Sequence, residues 1–290
     1  MPLRHPILPY LLAASGIGLF TVMDGFMKHA SLMTGAYTAT LLRSLIGAVL
    51  IAPLWLVRHP RWPRGHLLRL HIERGLVTAA MSLTWFFALT HLPLAEALAI
   101  SFVAPLITLY LARLLLGETI SRRAILASLL GFAGTLVIVA GRIGAAGLTH
   151  DLALGLAAMA CSALCYAYSF IVIRRQSQLA GPIEVATFHS GIGGLVLLLA
   201  APFAFTMPSG PALGAIGIAG ALTVLGSMAI AWAYARAEAQ ALVPLEYTGF
   251  VWAAWIGWQW FGEKVTWATF IGMAMIVTAS WIARPRRVVT

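Results

Sequence analysis

Charged side chains are scarce in this chain. Of its 290 residues only 10% are charged, nine of them acidic, while 61% are hydrophobic and the mean hydropathy is +0.91. So little polarity cannot cover a water-soluble surface of this size, which excludes a soluble globular domain. Long linkers and low-complexity stretches are also missing. The two cysteines, Cys161 and Cys165, stand four apart in one apolar run. That spacing shares a helix face but not a disulfide geometry, so they read as small packing residues. No P-loop, zinc-binding HExxH pattern or GxSxG nucleophile elbow occurs. Direct ATP coupling and the common hydrolase mechanisms therefore have no basis here, and no catalytic residue, metal or cofactor is expected.

What the chain does contain is apolar runs of membrane-spanning length. Ten segments of roughly 20 residues predict an all-α membrane protein with ten transmembrane helices. They cover 8–29, 35–57, 71–91, 94–116, 122–141, 152–173, 183–206, 211–235, 240–261 and 265–283. The first is read as a span and not a cleaved signal, because its apolar run continues to Phe26. The formal charge of +10 sits between the apolar runs, which is a topology pattern and not a nucleic-acid footprint. With the N-terminus inside, the inner side holds Arg4, Arg58, Arg61, Arg64, Arg69, Arg74, Arg113, Arg122, Arg123, Arg174, Arg175, Arg236, Arg284, Arg286 and Arg287. The outer side holds Lys28, Arg142 and Lys264. This positive-inside bias places both termini in the cytoplasm.

Shifting the chain by about 145 residues lays Gly117-Glu118-Thr-Ile-Ser over Gly262-Glu263-Lys-Val-Thr. At nearly the same offset Arg43 falls on His189, Lys28 on Arg174 and Trp85 on Trp232. The expectation is a five-helix repeat in 1–145 and a second in 146–290. Five is odd, so the second repeat enters the membrane upside down, as in secondary transporters that work by alternating access.

The sequence also resembles the drug/metabolite transporter superfamily, in particular its EamA type. The residues that carry the resemblance are Asp24-Gly-Phe-Met-Lys28, Arg43-Ser-Leu, Leu92-Pro-Leu-Ala-Glu-Ala97, Ser101-Phe-Val-Ala-Pro105, Leu116-Gly-Glu118, Ala241-Leu-Val-Pro-Leu-Glu-Tyr247 and Phe261-Gly-Glu263. The resemblance implies a ten-helix carrier of small organic metabolites in a bacterial inner membrane, with efflux slightly favoured over uptake. Its partners would be a small-molecule substrate, the lipid bilayer and protons as a candidate coupling ion, with no nucleic acid, in a monomer or homodimer.

Ionisable groups inside the hydrocarbon are costly and so are the first site candidates. These are Asp24, Arg43, Glu96, His189 and Glu246. Asp24 and Arg43 come to similar depth, where they either fasten the first helical hairpin or leave Arg43 to anchor a substrate carboxylate or phosphate. Lys28 is expected on a solvated face. His189, aligned with Arg43, suits a proton-coupled step or a packing hydrogen bond. Glu246, about six residues into the ninth segment, is the sharpest substrate or proton candidate. Its helical face would include Gly249, Phe250, Ala253 and Gly257, with Trp252, Trp255 and Trp258 turned to lipid. Ser101 joins the candidates through its motif. Glu96 would at least cap its helix, and Glu118 and Glu263 would meet loop amides. An intramembrane enzyme or a membrane sensor are the alternatives, but neither needs a repeat inverted across the membrane.

Overall fold

The computed structural model describes residues 7–58, 62–116, 122–176, 178–234 and 245–282. Among these residues the chain is helix and short connections, with no strand. The helices are α1 (Leu8–Thr34), α2 (Ala36–Arg58), α3 (Gly65–His91), α4 (Leu94–Ser101), α5 (Ala104–Leu116), α6 (Arg122–Ala146), α7 (His150–Gln176), α8 (Pro182–Leu199), α9 (Ala201–Ala204), α10 (Gly210–Tyr234), α11 (Thr248–Phe261) and α12 (Trp267–Ile282). Six stretches are long and apolar enough to cross a bilayer: Leu8–Thr34, Ala36–Arg58, Leu94–Leu115, Ile125–Ala145, His150–Ile173 and Gly210–Ile230. Ile183–Leu199 and Trp267–Ala279 are apolar but shorter.

The helix ends have local causes. α1 runs on to Thr34 and α2 starts at Ala36 because Gly35 takes φ 83°, which lets one residue reverse the chain. The expected fourth segment is divided into α4 and α5 at Phe102–Val103. There Phe102 donates to the Ala99 carbonyl and Val103 to that of Ile100, a tight 3₁₀ step. Pro105 follows, with no N–H for the Ser101 carbonyl and a ring that disfavours helix before it. The expected seventh segment is likewise divided at Ala200, just before Pro202.

The chain folds as two compact units. One draws on Met1–Pro63 and Gly181–Lys264, the other on Arg64–Ala180 and Val265–Thr290. Each unit thus takes helices from both halves of the sequence.

In the first unit α1 packs against α10, α11 and α2, and α2 packs against α8 and α10. Glycine permits these approaches: a methyl at Gly16 would lie 2.7 Å from the Ile230 side chain, and one at Gly25 2.9 Å from Ile256. The Thr206 N–H donates to Thr38 Oγ1 at 3.0 Å, and the Tyr37 hydroxyl donates to the Leu197 carbonyl, so the start of α2 is tied to the segment that ends α8.

In the second unit α7 packs against α3 and α5, and α6 against α12. Ser162 Oγ donates to the Met81 carbonyl at 3.1 Å and Thr108 Oγ1 to that of Ala167 at 3.4 Å. Such bonds hold helices together where lipid tails compete on equal terms with apolar side chains. Gly134 and Gly272 face each other across the α6–α12 contact, where a methyl on Gly134 would lie 2.7 Å from the Gly272 carbonyl oxygen.

That contact makes a signed prediction. Alanine is a better helix former than glycine by roughly 1 kcal/mol, so Gly144→Ala, with open space around it, should leave stability unchanged or raise it. Gly134→Ala must instead push two backbones apart and should lower stability by about 1–3 kcal/mol. Unfolding of both variants in detergent micelles checks this; equal effects would mean that the glycine contact does not set the α6–α12 spacing.

Candidate functional site

The end of α11 organises the charges of the first unit. Gly262 adopts φ 65°, the left-handed conformation that closes a helix. Its N–H donates to the Trp258 carbonyl at 3.1 Å and the Glu263 N–H to that of Gly257 at 2.9 Å. These two bonds use the amides of the turn and fold Glu263 back over its own helix. A Cβ on Gly257 would lie 2.6 Å from Glu263 Oε2, so only glycine leaves room for the carboxylate. There Glu263 receives the Lys28 ammonium of α1 in an ion pair. Lys28 is buried, and its Nζ stands 5.1 Å from the centre of the Phe261 ring.

Lys28, expected on a solvated face, is buried instead, and Glu263 pairs with a cation. The physical reason is that the capping turn consumes its own amides, while the α1–α11 packing carries Lys28 under the turn.

Asp24 lies one turn before Lys28 on the same face of α1, about 6 Å along the axis. It is buried, and its charge acts on the Arg43 guanidinium of α2. Glu263, Lys28, Asp24 and Arg43 therefore form a row of alternating sign that sums to zero. Opposite charges set side by side offset the cost of enclosing each of them. His189 is half-buried on α8, next to the buried Phe188. Phe188, Trp55 and Trp62 stack edge to face with centroids 5.2, 5.3 and 5.7 Å apart, too close to leave a cage between them.

Glu246 is exposed and lies before the turn at Tyr247, with α11 starting at Thr248. It therefore does not share one continuous helical face with Phe250, as the sequence predicted. At this point the Phe250 N–H bonds back to the Tyr247 carbonyl at 3.2 Å, a three-residue step at the start of α11. Beyond that turn the expected faces hold. Gly249, Phe250, Ala253 and Gly257 are buried, while Trp252, Trp255 and Trp258 are exposed. Pro244 and Glu118 lie outside the described residues.

Glu96 and Ser101 belong to the second unit. Glu96 sits in the first turn of α4, fully enclosed. It accepts from Thr269 Oγ1 at 3.4 Å and pairs with Arg142 Nε at 3.7 Å, so it joins α4, α6 and α12 as well as occupying a helix start. Ser101 Oγ donates to the Leu98 carbonyl at 2.7 Å, within its own turn.

A further polar network between α3 and α7 was missed in the sequence. Arg74 Nη1 donates to Gln176 Oε1 at 3.2 Å. That fixes the Gln176 amide, whose Nε2 then donates to His71 Nδ1 at 2.5 Å. His71 is consequently the neutral tautomer with its proton on Nε2. The Tyr168 hydroxyl donates to Glu73 on the neighbouring face. The signal was present as His71-Ile-Glu73-Arg74 at the start of a span, but the partners lie about 100 residues away.

The EamA-like transporter family matches residues 7–140 and again 153–284. The chain is 27% identical over 270 residues to the pseudopaline exporter CntI of Pseudomonas aeruginosa, covering 93% of each protein. It is 27% identical to a riboflavin transporter of Rhizobium johnstonii, over 75% of this chain and 70% of that one. Identity to an S-adenosylmethionine uptake transporter of Rickettsia felis is 22%, over 92% and 91%. A solved crystal structure superposes with a TM-score of 0.62 at 22% identity, covering 95% of this chain and 97% of the other. That likeness concerns the fold.

The ion pair at the α11 cap yields a thermodynamic cycle. Lys28→Met and Glu263→Gln should each lower stability, by up to about 3–5 kcal/mol, because each removes the ion-pair partner of a group that the protein encloses wholly or in part. The double substitution should cost clearly less than the sum. Gly257→Ala should reproduce part of the Glu263→Gln loss by expelling the carboxylate. Thermal unfolding in detergent measures all four; strict additivity would exclude a functioning pair.

Proposed function

The chain belongs to the EamA-like transporter family, and from that premise we propose that it is a secondary active transporter that moves a small organic metabolite across the bacterial inner membrane by alternating access. Small-molecule transport is the activity named for its relatives, and several apolar helices make it a multi-pass membrane protein. In this reading the ten helices form two inverted five-helix repeats, 1–145 and 146–290, with both termini cytoplasmic.

One packing observation carries the proposal. The first helix of the first half, α1, packs on α10 and α11, the third and fourth helices of the second half. In the other unit the first helix of the second half, α7, packs on α3 and α5, from the third and fourth segments of the first half. The same exchange of partners occurs twice. Two units that are built alike, with the repeats traded between them, are what a carrier needs to open toward either face at similar energy. A membrane enzyme or sensor needs no such equivalence.

The substrate is amino-acid-like, vitamin-like or cationic, and efflux is slightly favoured over uptake, with both an exporter and an uptake transporter named among the relatives. Coupling is to protons or to exchange. Glu246 and Arg43 are the candidate contacts for substrate charge, with Asp24, His189, Phe250, Ser101 and Glu96 as supporting candidates.

Purified protein in proteoliposomes should exchange a metabolite of one of these classes and accumulate it under an imposed proton gradient. If Glu246 carries the coupling proton, Glu246→Gln should abolish gradient-driven accumulation and spare exchange. If it holds a substrate cation, the same variant should weaken binding about tenfold while Glu246→Asp keeps part of it. Unchanged affinity and flux in folded protein would remove Glu246 from the site.

Topology has its own check. Reporters fused after Arg287 and near Arg64 should read cytoplasmic and one near Ser209 external; an external signal after Arg287 would overturn the inverted arrangement.

A further inference from the structure

Two open grooves of similar size lie on the second unit. One, of about 540 Å³, is lined among the described residues by Val277, Thr278, Trp281 and Ile282. The other, of about 530 Å³, lies between α5 and α6 and is lined by Tyr110, Arg113, Leu114 and Ile125. Arg113 and Tyr110 are exposed, as is Arg122 at the first residue of α6. Among the described residues, neither arginine has an acidic partner.

The second groove continues into an apolar track. Ile125, Leu129, Phe132 and Leu136 are all exposed and recur at helical spacing along one face of α6. Their eleven-residue span is about 16 Å long, close to half of a hydrocarbon core of roughly 30 Å. A guanidinium and a phenol at one end of a track one leaflet long match the anatomy of a single phospholipid. The phosphate would meet Arg113 and the Tyr110 hydroxyl, and an acyl chain would lie along the α6 stripe.

We propose that the α5–α6 groove is a binding site for an anionic phospholipid, with Arg113 and Tyr110 holding its phosphate. The preference for an anionic headgroup follows from charge. Arg113, Arg122 and Arg123 outnumber Glu118 in this stretch of the sequence, and a net positive surface attracts a lipid with net negative charge, whereas a zwitterionic lipid brings its own ammonium to the same place. A polar metabolite is disfavoured, because Leu114, Ile125 and the stripe beyond them would face it with apolar surface. The site requires that this chain span a bilayer, but not that it transport anything.

The test uses the full-length protein in detergent, with lipid retention followed by native mass spectrometry and stability by thermal unfolding. The probes are phosphatidylglycerol, phosphatidylcholine and inorganic phosphate. Phosphatidylglycerol should bind and stabilise more strongly than phosphatidylcholine, and inorganic phosphate at the same concentration should do neither. Arg113→Gln should weaken phosphatidylglycerol about tenfold and erase the preference, while Arg113→Lys and the remote Arg58→Gln retain it. Phe132→Ala should weaken both lipids alike. Equal binding of the two lipids, a preference that survives Arg113→Gln, or competition by inorganic phosphate alone would overturn the proposal. A change from monomer to dimer on Arg113→Gln without loss of lipid would do the same, assigning the groove to a second copy. Retention is read without flux, so failure here leaves the transport proposal standing, and failure of transport leaves this one standing.

Discussion

An ammonium group buried in protein has no solvent to fall back on, so Lys28 must find its counter-charge inside the protein. It finds Glu263, and much of the first unit follows from that requirement. The carboxylate can reach α1 only if α11 ends in a left-handed residue, which Gly262 supplies, and only if Gly257 leaves space beneath it. The Trp252, Ile256 and Trp260 side chains seat α11 on Gly18 and Gly25 of α1 at the matching depth. A short Gly-Glu motif that resembles a loop in the sequence is thus a device that joins a helix cap to an ion pair.

The same economy appears in the second unit, where each enclosed charge draws together elements remote in sequence. Glu96 joins α4 to α6 and α12 through Arg142 and Thr269, and the Arg74–Gln176–His71 relay joins α3 to α7. In a bilayer, apolar surface does little to favour one helix neighbour over another. Glycine contacts allow close approach, and paired charges choose the partner. That division of labour suits a carrier, because apolar and glycine-lined contacts can slide while charge pairs define discrete stopping points.

Both units place the opening helix of one half against the third and fourth segments of the other. In a soluble protein, exchange of segments between halves would be a folding curiosity. In a chain whose two family matches cover 7–140 and 153–284, it gives each unit helices from both matches. The site candidates are distributed over the two units, with Asp24, Arg43, His189, Glu246 and Phe250 in one and Glu96 and Ser101 in the other.

Composition and hydrophobic run length are local or summed properties, so the sequence by itself determined a helical membrane protein and its family. It also determined which faces of α11 are buried, since helical phase follows from spacing alone. What spacing alone did not show is the interruption of a helix, as at Phe102–Val103 and Tyr247. Partnership was decided only by the tertiary structure. Lys28 and Glu263 are 235 residues apart, and Glu96 and Thr269 are 173 apart. No local pattern links them, because a charge pair depends on how whole helices pack, and that packing is set by glycine contacts and counter-charges distributed along the entire chain.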